Sequence, residues 1–156
     1  MEAGESVDIL LIDSNPYEAE LTSRVLSRYV SNPVRVVTDG PQALAVLYGS
    51  NGCTAGVGTV PQLIVVDAHI RKGNVLDLVE RFRTDPRTGH VPVIVLTSSL
   101  AECQSISQRT VHHCACVVKP LDLTKLADAL IETRVHWVLL TFGAPTAGAG
   151  QAAFAA

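Results

Sequence analysis

The sequence predicts an α/β fold in which a doubly wound, five-stranded parallel sheet is flanked by five helices. Two observations predict it, since five short apolar runs recur along the chain and the stretches between them suit helices. The runs are rich in β-branched residues and nearly continuous, as expected of strands buried on both faces of a parallel sheet. Because crossovers between parallel strands are right-handed, few ways remain to wind such a chain.

The five predicted strands are short. A nearly continuous apolar sequence places apolar side chains on both faces, so we expect helices to cover each strand on both sides. In chain order the strands are VDILLI ending at Ile12, VRVV from Val34, LIVV from Leu63, VIVL from Val93 and CVV from Cys116.

Helix start signals lie between these strands. Asn15-Pro16 provides an N-cap followed by proline at the first helical position. Shorter helices are predicted over residues 41–48, 75–82 and about 101–109. In the first helix we predict one apolar face, formed by Tyr17, Leu21, Val25 and Leu26.

The last predicted helix is the longest. Asp122 caps it, and its apolar pattern runs from Leu123 to Phe142, where Gly143 and Pro145 provide a stop. A helix of about 20 residues spans about 30 Å, which is more than this domain needs to cover its sheet. Since its far end is apolar on more than one face, we expect a homodimer formed through this helix.

Length and composition limit the class of protein. We predict one domain over residues 7–142, an N-terminal tail over 1–6, a glycine-rich loop over 49–61 and a disordered Ala/Gly-rich tail over 143–156. The net charge of -3, with scattered lysines and arginines, argues against nucleic acid as a partner. Neither a signal segment nor a membrane span is evident, so we expect a cytoplasmic protein. Its four cysteines are then free thiols, namely Cys53, Cys103, Cys114 and Cys116.

Polar residues follow four of the predicted strands. In a doubly wound sheet of order 2-1-3-4-5, ligands bind outside the carboxyl ends of the strands, so these residues should converge at one edge. A carboxylate there can act as a nucleophile toward phosphorus, while a hydroxyl and an ammonium group neutralise the phosphoryl oxygens and Mg²⁺ bridges carboxylate and phosphate. The residues are Asp13 and Ser14 after the first strand, Asp67 after the third, Thr97 after the fourth and Lys119 after the fifth.

These strand ends carry four motifs, LLIDSN, LIVVDAHI, VIVLTSS and CVVKPLD. In this order they resemble the receiver domains of two-component response regulators, which have a flavodoxin-like fold, and the resemblance covers about residues 7–141. The stretch TDPRTGHVPVIVLTSS and the HWVLLTF ending look like the single-domain regulators of bacterial phytochrome kinases.

The resemblance implies roles for individual residues. It makes Asp67 the phosphoacceptor, Thr97 the switch hydroxyl, and Lys119 the phosphoryl-binding group, followed by a cis-proline at position 120. It also implies a Mg²⁺ site formed by Asp13, Asp67 and the backbone carbonyl of His69. The implied partner is a sensor histidine kinase of the phytochrome type, and signalling would proceed by protein–protein contact.

The sequence departs from the receiver pattern near the site. Ser14 replaces the acid that usually ligates the metal, so we expect Ser14 to be a weak ligand and Mg²⁺ affinity to be reduced. Arg71 replaces a proline, Asn74-Val75 replaces Asp-Gly, and Cys116 replaces the switch aromatic.

Two alternatives follow from these departures and from the motif order. One is a degenerate pseudo-receiver that acts as a phosphorylation-independent interaction module. The other is a phosphatase of the haloacid-dehalogenase type, which needs a second aspartate where this chain has His69. We favour the response regulator and expect no enzyme activity.

Overall fold

The computed structural model describes residues 9–30, 33–49, 60–109 and 114–133. Within these ranges strands and helices alternate, which confirms the predicted βα repeats. The sheet has the order β2-β1-β3-β4-β5 and every neighbouring pair is parallel. The elements are β1 Ile9–Ile12, α1 Pro16–Tyr29, β2 Val34–Val37, α2 Gly40–Tyr48, β3 Leu63–Asp67, α3 Val75–Thr84, β4 Val93–Thr97, α4 Leu100–Arg109, β5 Cys114–Val118 and α5 Leu123–Glu132.

The core consists of two apolar layers, one on each face of the sheet. Residues of α2, α3 and α4 cover one face, where Tyr48 and Phe82 are the largest buried side chains. Residues of α1 and α5 cover the other face, through Leu26, Leu126 and Leu130. The central strands β1, β3 and β4 are buried at every position. Their ends are therefore held rigidly at one edge of the sheet.

The expectation that all five strands are buried on both faces is wrong for β2 and β5. Two of the four residues of β2, Arg35 and Val36, are exposed, and β5 alternates between buried and half-buried residues. Both strands lie at the edges of the sheet, where a strand has a neighbour on one side only. The apolar sequences of β2 and β5 therefore predicted more burial than these edge strands have.

The buried face of α1 also differs from the predicted one. Of the four predicted residues, Leu26 is buried and Val25 packs partly buried against the core, whereas Tyr17 is 73% exposed and Leu21 is 49% exposed. Ala19 and Thr22, which were not predicted, are buried. Residues two apart on a helix lie about 200° apart around its axis, so positions 17 and 21 face away from position 19. Ala19 and Leu26 belong to the core layer on this face of the sheet, so the buried stripe of α1 runs through positions 19, 22 and 26.

The helix caps agree with the sequence prediction. The Asn15 side chain accepts from the N–H groups of Tyr17 and Glu18, and Asp122 caps α5 by accepting from Lys125. The bounds of α2, α3 and α4 differ from the predicted ones by at most two residues. The predicted continuation of α5 to Phe142, both tails and most of the 49–61 loop lie outside the described residues. None of the helices in the described part of the chain has the length and apolar character of a membrane span.

Candidate functional site

The carboxyl ends of β3 and β5 place an aspartate and a lysine in contact. Asp67 is the last residue of β3 and is 3% exposed, and Lys119 directly follows β5. The Lys119 Nζ donates to Asp67 Oδ1 at 3.0 Å. The Lys119-Pro120 peptide bond is cis, as the resemblance implied. This pair is the part of the predicted site that the structure brings together most directly.

A second carboxylate binds the same ammonium group. Glu18, in the first turn of α1, accepts from Lys119 Nζ at 2.6 Å. Burial acts to lower the pKa of Lys119, but its hydrogen bonds to Glu18 and Asp67 outweigh this and raise the pKa above its usual value. Glu18 was not among the site residues predicted from the sequence. A glutamate three residues after an N-cap usually belongs to the capping pattern, and that signal concealed a contact 101 residues away in sequence.

Asp13 supplies a third carboxylate and is fully buried. Its Oδ1 accepts from the N–H of Asn15 at 2.9 Å, and its Oδ2 has no hydrogen-bond partner among the described residues. Burial raises the pKa of Asp13, the charge of Asp67 adds to this, and the Asn15 hydrogen bond opposes it. A buried carboxylate oxygen without a partner is costly. A cation bound beside Asp13 Oδ2 would offset this cost.

The three carboxylates form a cluster that suits a hard divalent cation. One oxygen each from Asp13, Glu18 and Asp67 lies within 4.8 Å of the others. Oxygen ligands of this kind are the ones that Mg²⁺ and related ions prefer. The unpartnered Asp13 Oδ2 belongs to one of these carboxylates, so the residues present fit the metal that the resemblance implied.

Ser14 lies beside this cluster, and its hydroxyl is already engaged. It donates to the carbonyl oxygen of Thr38 at 2.6 Å and accepts from the N–H of Arg71 at 2.7 Å. The proline usual at position 71 has no N–H to donate. The two departures from the receiver pattern, Ser14 and Arg71, are therefore linked by a hydrogen bond. One lone pair of the hydroxyl is left, and the role of Ser14 as a weak metal ligand stays a prediction.

Thr97 is buried at the end of β4 and its hydroxyl faces the backbone of neighbouring segments. It lies 3.3 Å from the carbonyl oxygens of both Ser99 and Val117, to which it can donate. Cys116 on β5 contacts the Thr97 hydroxyl and the Cys103 thiol, and burial raises the pKa of Cys116. The structure thus places Cys116 beside the predicted switch hydroxyl.

His69 connects the loop that follows β3 to the first turn of α4. Its Nε2 lies 2.8 Å from Glu102 Oε2, while Glu102 Oε1 accepts from the N–H of Ser98 at 3.0 Å. Burial acts to raise the pKa of Glu102, but the hydrogen bonds from Ser98 and His69 lower it below the usual value. The side chain of His69 therefore has a structural partner, and metal binding by its backbone carbonyl stays a prediction.

These residues surround an open cleft at the carboxyl edge of the sheet. Four of the predicted site residues line it, whereas Thr97 and Asp13 are buried and do not line it. The cleft gives a ligand from solution access to the Asp67 carboxylate and the Lys119 ammonium. Its lining comprises Ser14, Asn15, Pro16, Glu18, Asp67, His69, Arg71, Ser98 and Lys119.

Similar solved structures are response regulators. The bacteriophytochrome response regulator AtBRR is 30% identical with a TM-score of 0.74, covering 87% of this chain and 98% of its own. The bacteriophytochrome response regulator RtBRR is 28% identical with a TM-score of 0.72, covering 96% and 90%. The phosphorylated cyanobacterial phytochrome response regulator RcpA is 25% identical with a TM-score of 0.62, covering 85% and 94%. No family model matches the sequence.

The likeness to AtBRR extends over nearly the whole of both chains, and the strand order is that of a receiver domain. The motifs at the strand ends, the cis bond before Pro120 and the contact between Lys119 and Asp67 agree with it. The chain belongs to the family of response-regulator receiver domains and resembles the phytochrome response regulators within it.

Proposed function

We propose that this response regulator accepts a phosphoryl group on Asp67 from a sensor histidine kinase and signals by protein–protein contact. The observation that carries the proposal is the Asp67 carboxylate, which ends a buried strand, faces an open cleft and is held by Lys119 at 3.0 Å. RcpA, one of the similar structures, is described as phosphorylated. Relatives with this fold are generally signalling modules, and we propose no enzyme activity for this chain.

The geometry supports a simple transfer. Lys119 holds Oδ1 of Asp67, which leaves the second oxygen to attack the phosphorus of a phosphohistidine. An O–P bond forms while the P–N bond breaks, and the electron pair of that bond stays on the imidazole nitrogen. Lys119 then neutralises a phosphoryl oxygen. The Thr97 hydroxyl, which lies against the backbone carbonyl of Val117, turns to donate its hydrogen bond to another phosphoryl oxygen.

Asp13, Asp67 and the backbone carbonyl of His69 would hold the cation in this site. A bound Mg²⁺ supplies positive charge against the phosphoryl oxygens. Because Ser14 brings no charge, we expect phosphorylation to be slower than in receivers with a full acidic pair.

Intact-mass measurement after incubation with acetyl phosphate and Mg²⁺ tests the proposal. We expect a labile phosphoryl adduct on the wild type, none on Asp67→Asn, and an unchanged adduct on Asp128→Asn, which alters an exposed aspartate of α5. An adduct that persists in Asp67→Asn would overturn the assignment of the site. No adduct on the wild type would favour the pseudo-receiver, the alternative that Ser14 suggests.

The partner and the assembly are also proposals. The likeness to AtBRR and RtBRR, both described as bacteriophytochrome response regulators, supports a phytochrome-type kinase as the phosphoryl donor. The apolar pattern beyond Arg134 supports a homodimer formed through the last helix. Light scattering should show a dimer for the full chain and a monomer for a truncation after Arg134. A monomeric full-length protein at micromolar concentration, or a truncation that still dimerises, would contradict the homodimer.

A further inference from the structure

At position 14, where receiver domains usually have an acidic residue, this chain has no negative charge. Ser14 is neutral, and its hydroxyl bonds to the backbone of Thr38 and Arg71. A receiver metal site with only Asp13 and Asp67 as charged ligands would hold a divalent cation weakly, because each carboxylate near the ion contributes substantially to binding.

A carboxylate from a different element occupies the neighbourhood of that missing charge. Glu18 is placed by the first turn of α1, and one of its oxygens lies within 4.8 Å of oxygens of Asp13 and Asp67. Its side chain is 41% exposed, so it has freedom to turn within the cleft. It accepts a hydrogen bond from Lys119, which also pairs with Asp67.

A second observation points to a cation at the same place. Asp13 is fully buried, yet its Oδ2 has no hydrogen-bond partner among the described residues. When ionised, the three carboxylates together with the Lys119 ammonium carry a net charge of two negative units, which one divalent cation would balance. Without Glu18 the same site would leave a single net negative charge.

We propose that Glu18 supplies the carboxylate ligand that position 14 lacks, and that a divalent cation draws Glu18 from Lys119 into a site shared with Asp13 and Asp67. This inference rests on the proposed function, because the cation is the one that would assist phosphorylation of Asp67. Release of Glu18 also frees a hydrogen-bond position on Lys119, which a phosphoryl oxygen can then occupy. Glu18 thereby ligates the metal and leaves Lys119 free to bind the phosphoryl group.

Calorimetric titration of the full chain with Mg²⁺ tests this inference, with Mn²⁺ binding followed by electron paramagnetic resonance as a second readout. Glu18→Gln should weaken binding roughly ten-fold or more, since it removes a charged ligand. The matched control is Glu20→Gln, because Glu20 lies on the same helix but pairs with Arg24 in solvent. Glu20→Gln should bind like the wild type.

A double-mutant cycle separates ligation from neutralisation of the lysine. If Glu18 is a ligand, Glu18→Gln should still weaken binding roughly ten-fold in a Lys119→Met background. A loss that disappears in that background would overturn the inference, because Glu18 would then act only by neutralising Lys119. Equal affinities of the wild type and Glu18→Gln, or no binding to the wild type, would overturn it as well.

The Asp67 adduct, measured on the same samples, keeps the two proposals apart. An adduct together with unchanged cation affinity in Glu18→Gln removes the role of Glu18 and leaves the proposed function intact. Weaker cation binding in Glu18→Gln without any adduct in the wild type supports Glu18 as a ligand and removes phosphorylation of Asp67.

Discussion

One group of residues at Asp67 consists of Lys119, which follows β5 and lies 3.0 Å from the carboxylate, as the resemblance to receiver domains predicts. A second group comprises Asp13, Ser14 and Glu18, of which only Asp13 matches the receiver pattern, and Glu18 also accepts from Lys119. We refer to these as the lysine side and the metal side of the site. The lysine side depends on the ends of β3 and β5, which β4 separates in the sheet, whereas on the metal side we propose that a residue of α1 supplies a ligand.

The strands are held alike on both sides, since β1 pairs with β2 and β3 while β3, β4 and β5 are joined by continuous parallel pairing. The difference lies in the residues that follow the strands. The metal side lies where β1 leaves the sheet and α1 begins, and Ser14 there is tied to two loops. In our proposal Glu18, in the first turn of α1, supplies the carboxylate that position 14 lacks, because a divalent cation needs a carboxylate rather than a particular backbone position.

Removal of the lysine should have the largest effect on stability. Lys119→Met removes the ammonium group that the carboxylates of Asp67 and Glu18 share. In the absence of metal we expect the free energy of unfolding to fall by about 1–3 kcal/mol. The value is below that of a fully buried pair because Glu18 is 41% exposed. Urea denaturation in EDTA measures it, with Lys72→Met as control, since Lys72 is exposed and lies 3.8 Å from Asp39.

The pH dependence of this loss provides a further check. Because pairing raises the pKa of Lys119 above its usual value, its stabilisation is present at neutral pH and is lost as pH rises through the raised pKa. The difference between wild type and Lys119→Met should therefore be constant around neutrality and decrease only in strongly alkaline solution. A wild-type stability equal to that of Lys119→Met would contradict a stabilising role for the hydrogen bonds of Lys119.

On the metal side, removal of a charge should have the opposite sign. Asp13→Asn keeps the oxygen that accepts from Asn15 and removes a buried negative charge, so we expect a gain of about 1–2 kcal/mol without metal. Since burial raises the pKa of Asp13, the wild type is most stable relative to the variant at acid pH and loses this advantage as pH rises through the raised pKa.

Denaturation at several pH values, with and without Mg²⁺, measures this effect. Mg²⁺ should stabilise the wild type more than Asp13→Asn, because the cation binds the folded state through this carboxylate. A variant that is less stable than the wild type in EDTA would contradict the idea that Asp13 is an unsatisfied charge.

Substitution of Ser14 should have the smallest effect on stability and shows whether the metal side can be rebuilt. Ser14→Ala removes hydrogen bonds to Thr38 and Arg71 near the surface, so we expect the free energy of unfolding to fall by about 1 kcal/mol or less.

Ser14→Asp should tighten Mg²⁺ binding and speed phosphorylation, because it restores a carboxylate to a hard-cation site. Calorimetry compares both with Ser105→Ala, an exposed serine of α4, and unchanged Mg²⁺ affinity in Ser14→Asp would mean that position 14 does not face the cation.

Much of this molecule followed from its sequence alone. Strand-forming runs separated by capped helices determined the parallel sheet, and polar residues after the runs determined which edge carries the chemistry. Asp67 and Lys119 could be placed together because the carboxyl ends of parallel strands lie at the same edge of the sheet.

Only the tertiary structure decided which surface α1 buries and what its first turn contacts. The apolar residues Tyr17 and Leu21 suggested one face, yet the close packing of Ala19 and Thr22 on the sheet selected another. That rotation carries Glu18 to Lys119, a contact between residues far apart in sequence that no local pattern encodes. Helix periodicity restricts a side chain to a face, whereas the packing of that face against the sheet decides which distant charges it meets.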